Sequence, residues 1–237
     1  MELEGARLEA EYDDQHCNHT ALVSVDPGVE AVKITCTGLV STSNNSGVIG
    51  HHSGFMPLWC FRRQTPLTAP GPKMRALAAR LGSSGGGSGS GGNRLALLHN
   101  LSQHIHDSVA YEIGFTDAET TAEAAMAAGC GVCQDHAHIF IGLARTFDIP
   151  ARYVSGYLMM DDRIDQEAGH AWAEAYVEGL GWVAFDVSNG ISADARYVRI
   201  ASGCDYREAA PVTGITYGTG ESALTVSLAV EQQIAEQ

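Results

Sequence analysis

The chain has 237 residues, enough for one large domain or one domain with an appendage. Its 28 acidic and 14 basic residues give a formal charge of −14, which argues against nucleic acid or an anionic membrane as partner. No apolar run approaches the ~20 residues that span a bilayer, Met1-Glu2-Leu3-Glu4 is too polar for a signal peptide, and six scattered cysteines in a chain of this size indicate a reducing, cytoplasmic setting.

Residues 1–72 read as a β-rich N-terminal region. Ala21 to Val25 and Val29 to Val40 carry β-branched alternation, with Asp26-Pro27-Gly28 as the turn between them. His51-His52-Ser53-Gly54 and Pro57 read as loop, anchored by Trp59, Cys60 and Phe61. Lys73 to Leu81 is a short helix. Residues 82–92, almost all Gly and Ser, form a flexible coil by composition. Asn93 then caps a helix from Arg94 to Tyr111, with Leu95, Leu98, Leu101, Ile105 and Val109 as its buried stripe. His99, His104 and His106 on this helix share no face with other ligands, so they read as surface or half-buried histidines. Asp117 caps a further helix from Ala118 to Ala128.

The chain is organised around Gly129-Cys130-Gly131-Val132-Cys133-Gln134-Asp135 and the apolar run after it. Phe140, Ile141, Ala144 and Phe147 recur at helical steps until Pro150 ends the pattern. A helix that begins near Val132 or Cys133 puts the Cys133 sulfur among free N–H groups at the positive end of a helix dipole. Such a position favours a thiolate, so Cys133 is a candidate nucleophile. Ala151 to Leu158 reads as a strand. Gly169 to Val177 and Trp182 to Val187 read as two more, joined by Glu178-Gly179-Leu180-Gly181 in a hairpin. His170, Trp172, Glu174 and Tyr176 share one face of the first strand, and Trp182, Ala184 and Asp186 one face of the second. In either of two registers that such a turn allows, His170 and Asp186 lie opposite or nearly so and can hydrogen-bond. If the Cys133 helix packs at that face, nucleophile, base and orienting carboxylate come together. Leu224 to Val230 reads as a last strand.

Four segments carry a family resemblance. Gly131-Val-Cys-Gln-Asp135, Pro150-Ala-Arg-Tyr-Val-Ser-Gly-Tyr157, Gly169-His-Ala-Trp-Ala-Glu174 and Gly181-Trp-Val-Ala-Phe-Asp186 resemble the transglutaminase-like superfamily, and most closely its bacterial group with an N-terminal β region. The tail from Tyr197 to Gly214 resembles that group too, whose β region begins earlier than this chain does. The resemblance implies an α+β, papain-like fold: a Cys-bearing helix packed on an antiparallel sheet that carries His and Asp, within a catalytic domain over 73–237. It implies a cysteine-dependent amide-bond enzyme with Cys133, His170 and Asp186 as triad. The thioacyl intermediate is resolved by water, as in a peptidase, or by an amine, as in a transglutaminase. The substrate is a peptide or protein amide, and no cofactor or metal is expected. The Cys133 N–H is the first oxyanion donor, with Gln134 and Trp172 as candidates for the second.

Three rival readings stand beside it. Cys130 and Cys133 have the spacing of a dithiol redox site. Those cysteines with His136 or His138 could hold zinc, although a fourth ligand is missing. A catalytically inactive binding module on the same fold is the third.

Overall fold

The structure, a computed structural model, describes residues 1–83, 91–160, 165–166, 169–215 and 223–231. In chain order its elements are β1 (Glu2–Glu4), β2 (Ala6–Asp13), β3 (His19–Val25), β4 (Lys33–Thr35), β5 (Val48–Gly50), a 3₁₀ turn (Leu58–Arg62), α1 (Pro72–Ser83), α2 (Gly91–Ser108), β6 (Ala110–Tyr111), α3 (Ala122–Ala128), β7 (Cys130–Gly131), α4 (Cys133–Thr146), β8 (Ala151–Leu158), β9 (Asp165–Gln166), β10 (His170–Val177), β11 (Gly181–Phe185), β12 (Tyr197–Gly203), α5 (Tyr206–Ala209) and β13 (Leu228–Ala229). The expected α+β architecture is present, with a mostly β N-terminal region. Among the described residues no helix is long and apolar enough to cross a membrane.

Five strands form one antiparallel sheet in the order β12-β8-β10-β11-β5. Helix α4 covers one face. Its Ala137, Phe140, Ile141 and Ala144 share a core with Ala171, Ala173, Ala175 and Val177 of β10, and Phe140 stacks on Phe185 at 4.9 Å. Trp172 packs on the other face with Val154, Leu158, Ala184 and Tyr197. The sequence expectation that α4 packs at the His170/Trp172 face is therefore corrected. The row of alanines lets a helix axis approach closely, whereas Trp172, Glu174 and Tyr176 would hold it away. The closeness extends to Gly142 of α4, where a Cβ would sit 2.1 Å from the Thr68 carbonyl oxygen.

Several boundaries differ from expectation. Helix α2 starts at Gly91, so Asn93 lies inside it and is not its cap. It also stops at Ser108, because Ala110 and Tyr111 leave it to pair in parallel with Cys130 and Gly131. Thr121, not Asp117, caps α3 by accepting from the Ala124 N–H, while Asp117 closes the preceding turn. Of the expected strand from Val29 to Val40 only β4 forms, because β1 offers it just three residues to pair with. The paired hairpin strand β2 went unread. Residues 82–83 and 91–92 of the predicted coil are helical, and 84–90 lie outside the described residues. In the last expected strand only Leu228–Ala229 pairs, with β9.

The N-terminal region is fastened to this core at two places. Strand β5 extends the sheet beside β11. The turn between β2 and β3 meets β12, where the Asn18 amide donates to the Ser202 carbonyl and accepts the Ser202 N–H, both at 2.8 Å. From within the core, the buried Arg145 of α4 donates to the carbonyls of Phe61, Ala151 and Cys204 and to the Thr68 hydroxyl. Burial pushes its pKa down to about 10, so it stays charged at neutral pH and satisfied by neutral oxygens.

Candidate active site

Cys133 is the first residue of α4, and Val132 before it is extended, so the thiol stands where backbone N–H groups have no acceptor within the helix. The approach is shaped by Asp135, which folds back to accept from the Val132 N–H at 2.8 Å and the Thr116 hydroxyl at 2.7 Å. Gly131 is needed there, because a Cβ would lie 2.7 Å from the Asp135 side chain. Burial raises the Asp135 pKa, against the pull of these two hydrogen bonds.

His170 opens β10, so its ring stands at the end of the sheet, where the first turn of α4 can reach it. Its Nε2 lies 2.6 Å from Asp186 Oδ2, and Cys133 is near enough to act on the charge of the ring. Burial alone would lower the His170 pKa. The hydrogen bond to Asp186 and the neighbouring Cys133 outweigh it and push the pKa up to about 10. The ring therefore holds both protons at neutral pH, next to a thiol.

Asp186 is fully buried. β11 ends at Phe185, and Asp186 bridges back to Ile191 across the turn 187–190. That turn brings Asn189 round, and its side-chain amide donates to Oδ2 at 2.7 Å while its backbone N–H donates to Oδ1 at 3.2 Å. The Tyr197 hydroxyl donates to Oδ2 at 2.7 Å. Burial would raise the carboxyl pKa, but the bonds from His170, Tyr197 and Asn189 win and lower it. A fourfold-bonded carboxylate has little freedom to rotate, so it fixes the plane of the imidazole.

The remaining sequence candidates are placed as follows. Gln134 donates weakly to the Ala118 carbonyl, at 3.3 Å. Trp172 is buried with its indole N–H unpaired, stacked beside His170 at 6.2 Å and edge-on to Tyr197 at 5.4 Å. Cys130 lies in β7, and all six cysteines are free thiols. His136 and His138 do not join the cysteines in a metal-binding group. His136 pairs with Ser188 and the Val109 carbonyl; His138 accepts from the Tyr206 N–H at 3.1 Å. Three residues at the site were not singled out from sequence. Asn189 had a signal, since Asp-Val-Ser-Asn-Gly reads as a turn whose first carboxylate accepts from the fourth residue. Tyr197 and Tyr111 had none. Tyr111 lies near Cys133, and burial together with that neighbour pushes its pKa up to about 12, so the hydroxyl keeps its proton.

Residues 87–187 match the family model described as the transglutaminase-like superfamily. An uncharacterized protein of Mycobacterium tuberculosis is 34% identical over 138 residues, which cover 54% of this chain and 44% of that protein. One of Mycobacterium leprae is 37% identical over 101 residues, covering 40% and 36%. The match thus spans under half the length of these mycobacterial relatives. The crystal structure of a candidate cysteine protease from Cytophaga hutchinsonii superposes with a TM-score of 0.63 at 18% identity, covering 99% of this chain and 82% of the other, a likeness of fold.

Proposed function

We propose that this chain, whose residues 87–187 form a transglutaminase-like superfamily domain, is a thiol enzyme that cleaves or transfers amide bonds of peptides or proteins. The observation that supports this reading is the 2.6 Å bond from His170 to Asp186 at the end of the sheet, with Cys133 at the start of α4 near enough to raise the His170 pKa. The Cys133 sulfur, its proton already on His170, attacks the amide carbonyl carbon as a thiolate. The oxyanion that forms is met by the Cys133 N–H at the helix terminus and by the hydroxyl of Tyr111, a protonated side chain near Cys133. His170 gives its Nδ1 proton to the leaving nitrogen as the C–N bond breaks, which leaves a thioester. It then takes a proton from the incoming water or amine, and the thiolate departs as the new bond forms. Asp186 keeps Nε2 protonated throughout and stays ionised itself.

The loop that leads from Tyr111 to Thr116 carries Ile113 and Phe115, both highly exposed, beside the helix terminus. These side chains suit an apolar residue of the substrate next to the scissile bond. Six free thiols support a reducing compartment as the place of work.

The test is a thiol-directed activity probe on the whole chain, competed with a peptide library and read by mass spectrometry. The expected result is labelling at Cys133 that selected peptides suppress, with their cleaved or amine-modified forms recovered. A probe that labels Cys133→Ala as strongly as the native chain would overturn the reading.

A further inference from the structure

Away from this site, a second group of polar side chains meets where the N-terminal hairpin docks. His16 comes from the turn between β2 and β3. Cys204 follows the end of β12, and Glu208 lies in α5, one turn further on. The donor atoms of these three residues all lie within 4.8 Å of one another, and among the described residues no other group of His, Cys, Asp and Glu has this closeness. His16 Nε2 is 2.9 Å from Glu208 Oε2, with the imidazole side chain 1% exposed and the carboxylate 40% exposed.

The three are held in place by bonds outside the group. Asp14 accepts the N–H groups of His16 and Asn18, at 2.8 and 2.9 Å, and Cys17 takes a left-handed backbone with φ of 62°. That conformation is costly for a residue with a Cβ, and it presents His16 to β12. Asn18 fixes the same turn to Ser202. The Cys204 N–H orients the Glu208 carboxylate from 2.7 Å. His16 also lines a cavity of about 370 Å³ with Asn18, His51 and Arg199, and the group meets solvent through the Glu208 carboxylate.

We propose that His16, Cys204 and Glu208 bind a zinc ion that clamps the N-terminal hairpin to the sheet. A thiolate, an imidazole and a carboxylate together select zinc over calcium or magnesium, which take oxygen ligands. Donors on one tetrahedral zinc stand about 3–4 Å apart, so the group needs only side-chain adjustment. Water completes the fourth position. On binding, the Cys204 thiol proton passes to solvent and the His16–Glu208 hydrogen bond gives way to two bonds to the metal. One imidazole, one thiolate and one carboxylate balance the two charges of the ion. The group lies apart from Cys133, so the proposal is independent of the amide chemistry. The proposal departs from the sequence reading, which expected no metal.

The test uses the whole chain, stripped with a chelator and titrated with cobalt as a spectroscopic substitute, then with zinc. Expected are a thiolate-to-cobalt charge-transfer band at one equivalent, its displacement by zinc, and a zinc-dependent rise in melting temperature. The band should persist in Cys133→Ala and vanish in Cys204→Ser. Glu208→Gln, which keeps the shape of α5, should weaken cobalt binding by at least ~10-fold. Where Cys204→Ser does not fold, loss of the cobalt band in His16→Ala, which alters only the turn between β2 and β3, gives the same answer. No thiolate band, or a band lost in Cys133→Ala and kept in Cys204→Ser, would overturn the proposal and leave the group a hydrogen-bonded latch.

Discussion

His170 and Asp186 touch at 2.6 Å although they are not partners in the strand ladder. The β10–β11 register pairs Ala173 with Phe185, so the position opposite Asp186 belongs to Trp172. His170 reaches the carboxylate diagonally, one step along the same face, at the point where β11 has ended. The contact therefore depends on Tyr197 and Asn189, which fix the carboxylate where the ladder no longer does.

Removing the charge of Asp186 is the direct probe of this contact. Asp186→Asn removes an interaction that raises the His170 pKa, so that pKa should fall from about 10. On the proposed function, kcat/KM of the native chain should hold through neutral pH and fall only as pH rises towards 10, where His170 loses its proton. In the variant this alkaline limb should move to lower pH, and turnover should drop roughly 10- to 1000-fold, less than the ~10⁴ known for Ser-His-Asp enzymes because the thiol needs less help. A pH–rate profile checks both. An unmoved limb would mean that Asp186 does not act on His170.

Tyr111 is expected to act in the transition state more than in binding. Tyr111→Phe keeps the ring and removes the hydroxyl near Cys133. Loss of one such donor costs about 10²–10³ in turnover where it is well aimed. Steady-state kinetics should show kcat reduced by at least ~10-fold with KM little changed. A rise in KM alone would make Tyr111 a substrate contact.

Cys133 should be alkylated near neutral pH much faster than the other five cysteines. It alone combines a helix terminus with a charged imidazole. Burial pushes the Cys204 thiol up to about 12, so that residue should be among the slowest. Peptide mapping after brief iodoacetamide treatment decides the order, and equal labelling at all six would remove Cys133 as nucleophile.

His138 should make the fold sensitive to acid. Burial, and then the charge of Arg145, hold its pKa down to about 3, so it stays neutral in the folded chain. The unfolded chain takes up that proton near pH 6.5. Its contribution is thus intact above pH 6.5 and is lost as pH falls from there towards 3, by at most about 1.4 kcal/mol per pH unit. Urea midpoints should fall more steeply with acid in the native chain than in His138→Gln. Parallel curves would show that another group controls the acid limb.

Much of this was legible before the coordinates. The hairpin from Gly169 to Val187 announced itself by period-two alternation and a glycine turn, and the helix after Cys133 by its apolar spacing and Pro150. What sequence missed depended on tertiary pairing. Tyr111 reads as the end of a helix because its neighbours are helix formers, and only the parallel pairing with Gly131 pulls it out. The side of the sheet that α4 covers was misread, since alternation gives two faces without saying which one a helix occupies. Leu8, Ala10 and Tyr12 alternate in β2 as a strand should, but the glutamates between them give the stretch a helical composition. Both sides of that ribbon are largely open to water, so no apolar face marks it.

The way the first fifty residues are spent has a consequence for how the chain behaves in a crowded solution. A sheet ends in two rims of unsatisfied amides, and each rim is a template on which a neighbouring molecule can grow. Here the three-residue β5 covers β11 and leaves only a short edge, and on the other rim the Asn18 side chain imitates a passing strand by occupying both main-chain groups of Ser202. A fragment lacking the N-terminal region would keep α4, β10 and β11 but would bare the outer hydrogen-bonding rows of β11 and β12 together. Such a fragment should self-associate through its strands before it loses its shape, and its fibril propensity would measure how much of the N-terminal region serves as a stopper.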